Sequence, residues 1–215
     1  HRKKRPTSRT VRFWYDGAAR PARQWTVSKH RHRVKAAVYD PQASSIGETS
    51  ILEDEDSWAG TLASAEWNLI GAQLALVPGL VNKPYVEFGG RDSGYPMDAW
   101  ELRHVYVLEM IPLSPSHPYG RKLFYIDQQT FVPFYVLIFD PDDYHWRTIF
   151  YSYGNPEFHP TIKKVGKEVR GPILLGQSWI DYQTQRTTLL LVSDVFYNDG
   201  LSLDVFSLNG KGPKR

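Results

Sequence analysis

The chain has 215 residues, 41% hydrophobic and 23% charged, a balance normal for a packed globular protein of about one domain. It has no cysteine, which excludes disulfides, thiolate nucleophiles and thiolate metal sites, and no apolar run reaches the roughly 18 residues of a transmembrane helix. The net charge of +3 hides an asymmetry: residues 1–35 hold 12 Lys/Arg and one acid, Asp16, and the rest holds 14 basic and 22 acidic residues.

HRKKRPTSR, residues 1–9, reads as a basic, flexible arm; attraction to phosphate is its alternative reading. From Thr10 onward the basic residues alternate with apolar ones, as in strands with one wet face. Thr10–Tyr15, Arg23–Val27 and Val34–Tyr39 are predicted strands. Residues 41–57 form a polar loop in which Asp54 or Asp56 caps a short helix near Ser57–Glu66. WNLIGAQLALV, residues 67–77, fits a helix or a buried strand. A Pro/Gly-rich connection fills 78–98. Four strands follow, Trp100–Ile111, Arg121–Ile126, Phe131–Asp140 and Tyr144–Tyr153, joined by short turns and therefore antiparallel. After a second long loop at 154–172, Ile173–Asp181 and Arg186–Val192 form a hairpin. Residues 10–209 make one antiparallel β domain, and 210–215 are a tail.

The strand at 131–139 is apolar on both faces, Phe131, Tyr135, Leu137 and Phe139 on one, Val132, Phe134, Val136 and Ile138 on the other. Neither face tolerates water. A curved sheet with a cavity on one side and a sandwich core both satisfy this pattern. Phe134, Val136 and Ile138 are the expected cavity face, because Tyr135 brings the other a hydroxyl that needs a partner; Trp146 is the expected rim residue. Pro133 belongs at an edge, a bulge or a strand start. Arg103 and Glu109 share a strand face and are expected to be structural charges.

Catalytic and metal chemistry find little support. No two histidines have helix-face ligand spacing, and cations surround His30-Arg31-His32. Asp140, Asp142 and Asp143 lack the glycine and the terminal glutamate of a calcium loop and read as a turn. His104, His117, His145 and His159 are the histidines an enzyme reading would use, but Ser116, His117 and Asp127 make only a chance-level trio. Phe13-Trp14-Tyr15 among arginines is too little for specific nucleic-acid recognition. No enzyme activity, cofactor, metal or specific nucleic acid is expected.

HPYGRKLFYIDQQTFVPFYVLIFDPDDYHW, residues 117–146, resembles a bacterial family of outer-membrane lipoprotein-sorting-like proteins of unknown function. His117, Pro118, Tyr119, Arg121, Lys122, Tyr125, Ile126, Asp127, Asp140 and Trp146 carry the likeness, with Arg103, Val105, Val107 and Glu109 of the preceding strand. WYDGAARPARQW, YDPQASSIGETS and SWIDYQTQRTTLLL match the flanks more loosely. In WNLIGAQLALVPGLVN the family's two lysines are replaced by Ala72 and Gln73. Family members are longer, so an N-terminal part is expected to be missing. The resemblance implies a mainly β fold, a curved antiparallel half-barrel of Lol-carrier type with one or two short helices. It implies a periplasmic or outer-membrane-associated protein that binds lipid-like or hydrophobic molecules without catalysis, serving a resistance–nodulation–division exporter. A scaffold subunit of an envelope transport complex with a solid core is the alternative; an envelope hydrolase is a distant third.

Overall fold

A computed structural model describes residues 8–13, 23–28, 33–38, 40–43, 49–55, 58–156, 159, 162–163, 171–192 and 195–196. Most of the arm at 1–9, the 210–215 tail, Trp14, Tyr15 and His30-Arg31-His32 lie outside these residues. The chain divides into two compact units, one formed by His1–Asp40 with Asn198–Arg215, the other by Pro41–Tyr197. In the first, β1 (Ser8–Phe13), β2 (Arg23–Ser28) and β3 (Arg33–Val38) make an antiparallel sheet in sequence order. Strand β1 begins at Ser8 rather than Thr10.

The second unit is built on an open seven-stranded antiparallel sheet in the order β13-β12-β10-β9-β8-β7-β4. Its strands are β4 (Ala65–Pro78), β7 (Trp100–Pro112), β8 (Arg121–Asp127), β9 (Pro133–Phe139), β10 (His145–Gly154), β12 (Ile173–Asp181) and β13 (Arg186–Leu191). Short two-stranded pairs accompany it: β5 (Phe88–Gly89) with β6 (Tyr95–Pro96), and β11 (Ile162–Lys163) with β14 (Val195–Phe196). The fold is mainly β, and among the described residues the helical content is short 3-10 turns.

Two expectations need correction. Among the described residues 58–66 no α-helix is present; single 3-10 turns occupy Leu52–Asp54 and Leu62–Ser64, and β4 begins at Ala65. Asp54 is not the cap of a helix that follows it. It ends the first turn and accepts a bond from the Ile51 N–H at 3.0 Å. The ambiguous 67–77 segment is strand throughout, because pairing with β7 continues from Ala65↔Pro112 to Pro78↔Trp100 past a bulge between Leu69 and Gly71. Pro133 opens β9 beside a register shift, so its missing N–H costs the ladder nothing.

Cross-strand partners share a face, which defines two sides of the sheet. On the tyrosine face Tyr125 stacks on Tyr135 with ring centroids 4.3 Å apart, and Phe150 packs between Tyr95 and Trp100. The segment at 86–96 covers this face farther along. A methyl group on Gly94 would meet Ile180, and the Ser178 hydroxyl donates to the Gly94 carbonyl at 2.6 Å. The opposite, lysine face carries the register row Trp179, Ile149, Val136, Phe124, Leu108 and Leu69. Phe134, Val136 and Ile138 are fully packed in the core on this side, with Ile51, Met110, Tyr151 and Trp179 in the same cluster.

Gly120 permits a close crossing at the end of the sheet. Its N–H donates to the Phe139 carbonyl at 2.9 Å, and any Cβ there would strike the backbone of Asp140 and Pro141. Gly120→Ala is therefore expected to cost about 1–3 kcal/mol, read as a lower midpoint in urea with an unchanged slope.

Candidate functional site

Lys122 lies on the lysine face between Met110 and Ile138, its side chain wholly removed from solvent. A buried ammonium without counter-charge is prohibitively costly, so partners must come from elsewhere in the chain. They come from one short segment. Lys122 Nζ sits 2.6 Å from Asp54 Oδ1 and 2.7 Å from Glu53 Oε1. The Tyr119 hydroxyl donates to Asp54 Oδ2 at 2.7 Å, and Arg147 Nη1 donates to that hydroxyl at 2.7 Å. Arg147 Nε and Trp146 Nε1 both donate to Asp181 Oδ2, at 2.9 and 3.1 Å. His117 Nδ1 accepts the Tyr119 N–H at 3.1 Å, which leaves Nε2 to face Glu53 Oε2 at 3.2 Å.

The electrostatics follow from this packing. Burial pushes the Glu53 pKa up, but contact with His117 and the Lys122 ammonium outweighs it and holds the group below its ordinary value. Burial likewise acts against Asp181, and the Thr184 N–H and Arg147 reverse it. Burial and the Asp54 charge raise Tyr119 well above the usual phenol, so it remains a hydrogen-bond donor.

The cluster fastens residues 49–55 onto the lysine face. Thr49 Oγ1 donates to Thr188 Oγ1 at 2.7 Å, Leu52 N–H to Ala43 O and Glu53 N–H to Pro41 O. Ile51 packs into the core, and Trp58 meets Trp67 edge to face at 5.2 Å.

Beyond this cover the lysine face changes character. On β7, Met110 is buried on the lysine face, whereas farther along Val105 and Val107 are buried on the other side. The lysine face there turns to solvent and stays apolar: Leu69, Leu74, Leu76 and Leu102 are 64%, 57%, 56% and 67% exposed. Leu76 pairs with Leu102 and Ala72 with Tyr106, while Phe131 stacks on Tyr106. The charged residues of β7, namely Glu101, Arg103 and Glu109, occupy the tyrosine face. The result is an exposed, uncharged leucine stripe on the edge strand and its neighbour, running into the buried core. A depression of about 130 Å³ beside it is lined by Leu102, Arg103, His104, Asp127 and Gln129.

The residues singled out in the sequence distribute as follows. Arg103 forks onto Asp127 through Nε and Nη2 at 3.1 and 2.9 Å, and Glu109 Oε1 lies 3.8 Å from Arg121 Nη1. Asp127 also accepts from Thr130, and Asp140 Oδ1 takes the N–H groups of Asp142 and Tyr144 in its turn. Tyr125 lies on the tyrosine face; burial pushes its stacking partner Tyr135 up to about 12. Trp146 is half-buried and belongs to the charged cluster through Asp181, as do His117 and Tyr119; Pro118 lies between those two. Glu53, Asp54, Arg147 and Asp181 were missed as a group, and so was the leucine stripe. The strand alternation of 69–76 was legible in principle, but which side stays open is a property of the cover.

Among the described residues, no three His, Asp or Glu side chains gather as metal ligands, and no helix is long and apolar enough to cross a membrane.

Asp54→Asn is expected to cost about 3–5 kcal/mol, since it removes a buried counter-charge while leaving the cation in place. The native pKa of Glu53 is depressed, so its contribution is fully present above the unfolded value near 4.5 and is lost as pH falls through the folded value. The stability difference between the wild type and Glu53→Gln, read by denaturant titration, should therefore shrink only on the acid side of that point.

Over residues 4–197 the chain matches the family described as protein of unknown function (DUF1329). No curated protein matches it. Among solved structures it is similar to a Vibrio parahaemolyticus domain assigned to outer membrane lipoprotein sorting, at 17% identity and a TM-score of 0.59, covering 93% of this chain and 69% of that one. It is also similar to a DUF1329 family protein of Desulfovibrio piger, at 15% identity and a TM-score of 0.57, covering 95% and 72%. A weaker likeness, TM-score 0.46 at 13% identity, is to a LolA superfamily protein of Nitrosomonas europaea, covering 93% and 87%. The chain belongs to the DUF1329 family, and the open antiparallel sheet is the fold it shares with the Vibrio parahaemolyticus and Desulfovibrio piger structures.

Proposed function

We propose that this protein binds lipid-like or hydrophobic molecules, without catalysis, in the periplasm or at the outer membrane, as part of hydrophobe transport. The observation that carries the reading is the uncharged leucine stripe on β4 and β7. Large side chains more than half exposed on one face, continuous with a buried apolar row, form a surface from which water is expelled with gain. Each methylene laid there contributes about 0.8 kcal/mol, so one acyl chain suffices for useful affinity without a polar contact. In this reading Phe134, Val136 and Ile138 form the covered inner part of the ligand face, with Trp146 at its charged end. Membership of DUF1329 and likeness to a lipoprotein-sorting domain support the envelope setting, and service to a resistance–nodulation–division exporter is part of the proposal.

The scaffold alternative has one observation in its favour, the full burial of Val136 and Ile138. The two readings separate on the stripe. Leu74→Glu is expected to leave the circular dichroism spectrum unchanged, because the site is exposed, and to weaken binding of the neutral fluorescent probe N-phenyl-1-naphthylamine about tenfold or more through an uncompensated charge. A wild-type protein that never binds the probe, or a variant that binds it equally well, contradicts the carrier reading.

A further inference from the structure

Lys122 is an anomaly on its face. Its register neighbours, Met110 and Ile138, are apolar, and the rest of that face on β7, β8 and β9 carries no other Asp, Glu, Lys or Arg. Arg147, one strand beyond Ile138, is matched by Asp181 on the adjoining strand, a pairing made within the sheet. Lys122 takes both of its carboxylates from outside the sheet, from the turn that carries Glu53 and Asp54. That turn sets its acids beside Ile51, whose apolar side chain packs into the core, an acidic head with an apolar body pressed onto an apolar floor.

The geometry beyond Lys122 has the dimensions of a chain. From Met110, opposite Lys122, the lysine face of β7 runs through Leu108, Tyr106 and His104 to Leu102, about 26 Å at the rise of a strand, long enough to seat an extended membrane-lipid acyl chain. Leu69, Ala72, Leu74 and Leu76 flank it on β4. Arg103, the other cation nearby, is already forked onto Asp127 and bonded to Gln129 and offers no comparable site.

We propose that Glu53 and Asp54 occupy the place of a ligand head group: a long-chain fatty acid displaces residues 49–55 from Lys122, seats its own carboxylate there, and lays its chain along Leu108, Tyr106, Leu102 and the leucines of β4. This rests on the carrier reading and names its ligand class and its control. Tyr119, held as a donor between Asp54 and Arg147, is placed to donate to the incoming carboxylate as it does to Asp54. The exchange swaps one set of charge-assisted bonds for another, so no charge is left bare at the end of it. Residues 49–55 then act as an autoinhibitory strap that keeps the inner face dry when no ligand is present.

The test compares 12-(9-anthroyloxy)stearic acid with its methyl ester, which has the same chain and no charge. The wild-type protein should bind the acid about tenfold or more tightly than the ester, and acid binding should speed hydrogen exchange at residues 49–55 while the ester does not. In E53Q/D54N, checked for fold by circular dichroism, the acid-to-ester ratio should rise several-fold, because Lys122 has lost its internal competitors. Equal binding of acid and ester by the wild type, or unchanged exchange at residues 49–55 on acid binding, overturns the inference while leaving the carrier reading intact. Failure of both probes to bind overturns the carrier reading and this inference with it. If the double variant does not fold, the wild-type ratio and the exchange measurement decide alone.

Discussion

A single ammonium group organises this molecule. Lys122 sits where a hydrophobic residue would be simplest, on the inward face of a central strand, and nothing in the sheet beside it can neutralise it. The loop before β4 must therefore return across the sheet and deliver Glu53 and Asp54, and in doing so it covers the inner apolar face with Ile51. Replacing such a cluster with apolar side chains would often be neutral or stabilising. Its retention makes sense where a specific, reversible docking of the loop matters more than maximum stability.

The cover is partial, and function is proposed where it ends. The same register row is closed at Val136 and Phe124 and open at Leu69. The long β4–β7 pair twists so that its buried side changes between Met110 and Val107, which turns an inward face outward without changing its chemistry. An uncharged surface of this kind on an edge strand asks for a partner.

Much of the fold was legible because antiparallel strands with short turns write their boundaries locally. Ile173–Asp181 matches its predicted range, and β7 to β10 shift by only one or two residues at their ends. The 67–77 segment stayed ambiguous for a physical reason: Gly71 follows a bulge, which breaks the period of two that marks a strand. Of the two cap residues offered for a helix near 57–66, Asp56 lies outside the described residues and Asp54 is claimed elsewhere. Asp54 binds Lys122, 68 positions away in sequence, a long-range contact that no local capping pattern reveals. Of the site, the motif flagged His117, Tyr119 and Trp146 but not what they serve. The charged cluster is assembled from four separate stretches of chain, and only one of them, the run around residues 117–122, lies in the central motif's first half.

The most direct measurement of the central claim is paramagnetic mapping by nuclear magnetic resonance with 16-doxylstearic acid. The account expects amide signals to broaden along Leu69–Leu76 and Leu102–Leu108, with the strands β12 and β13 unaffected. Uniform weak broadening, or broadening confined to the tyrosine face around Tyr125 and Tyr135, would show that the leucine stripe is not where a hydrophobic molecule binds.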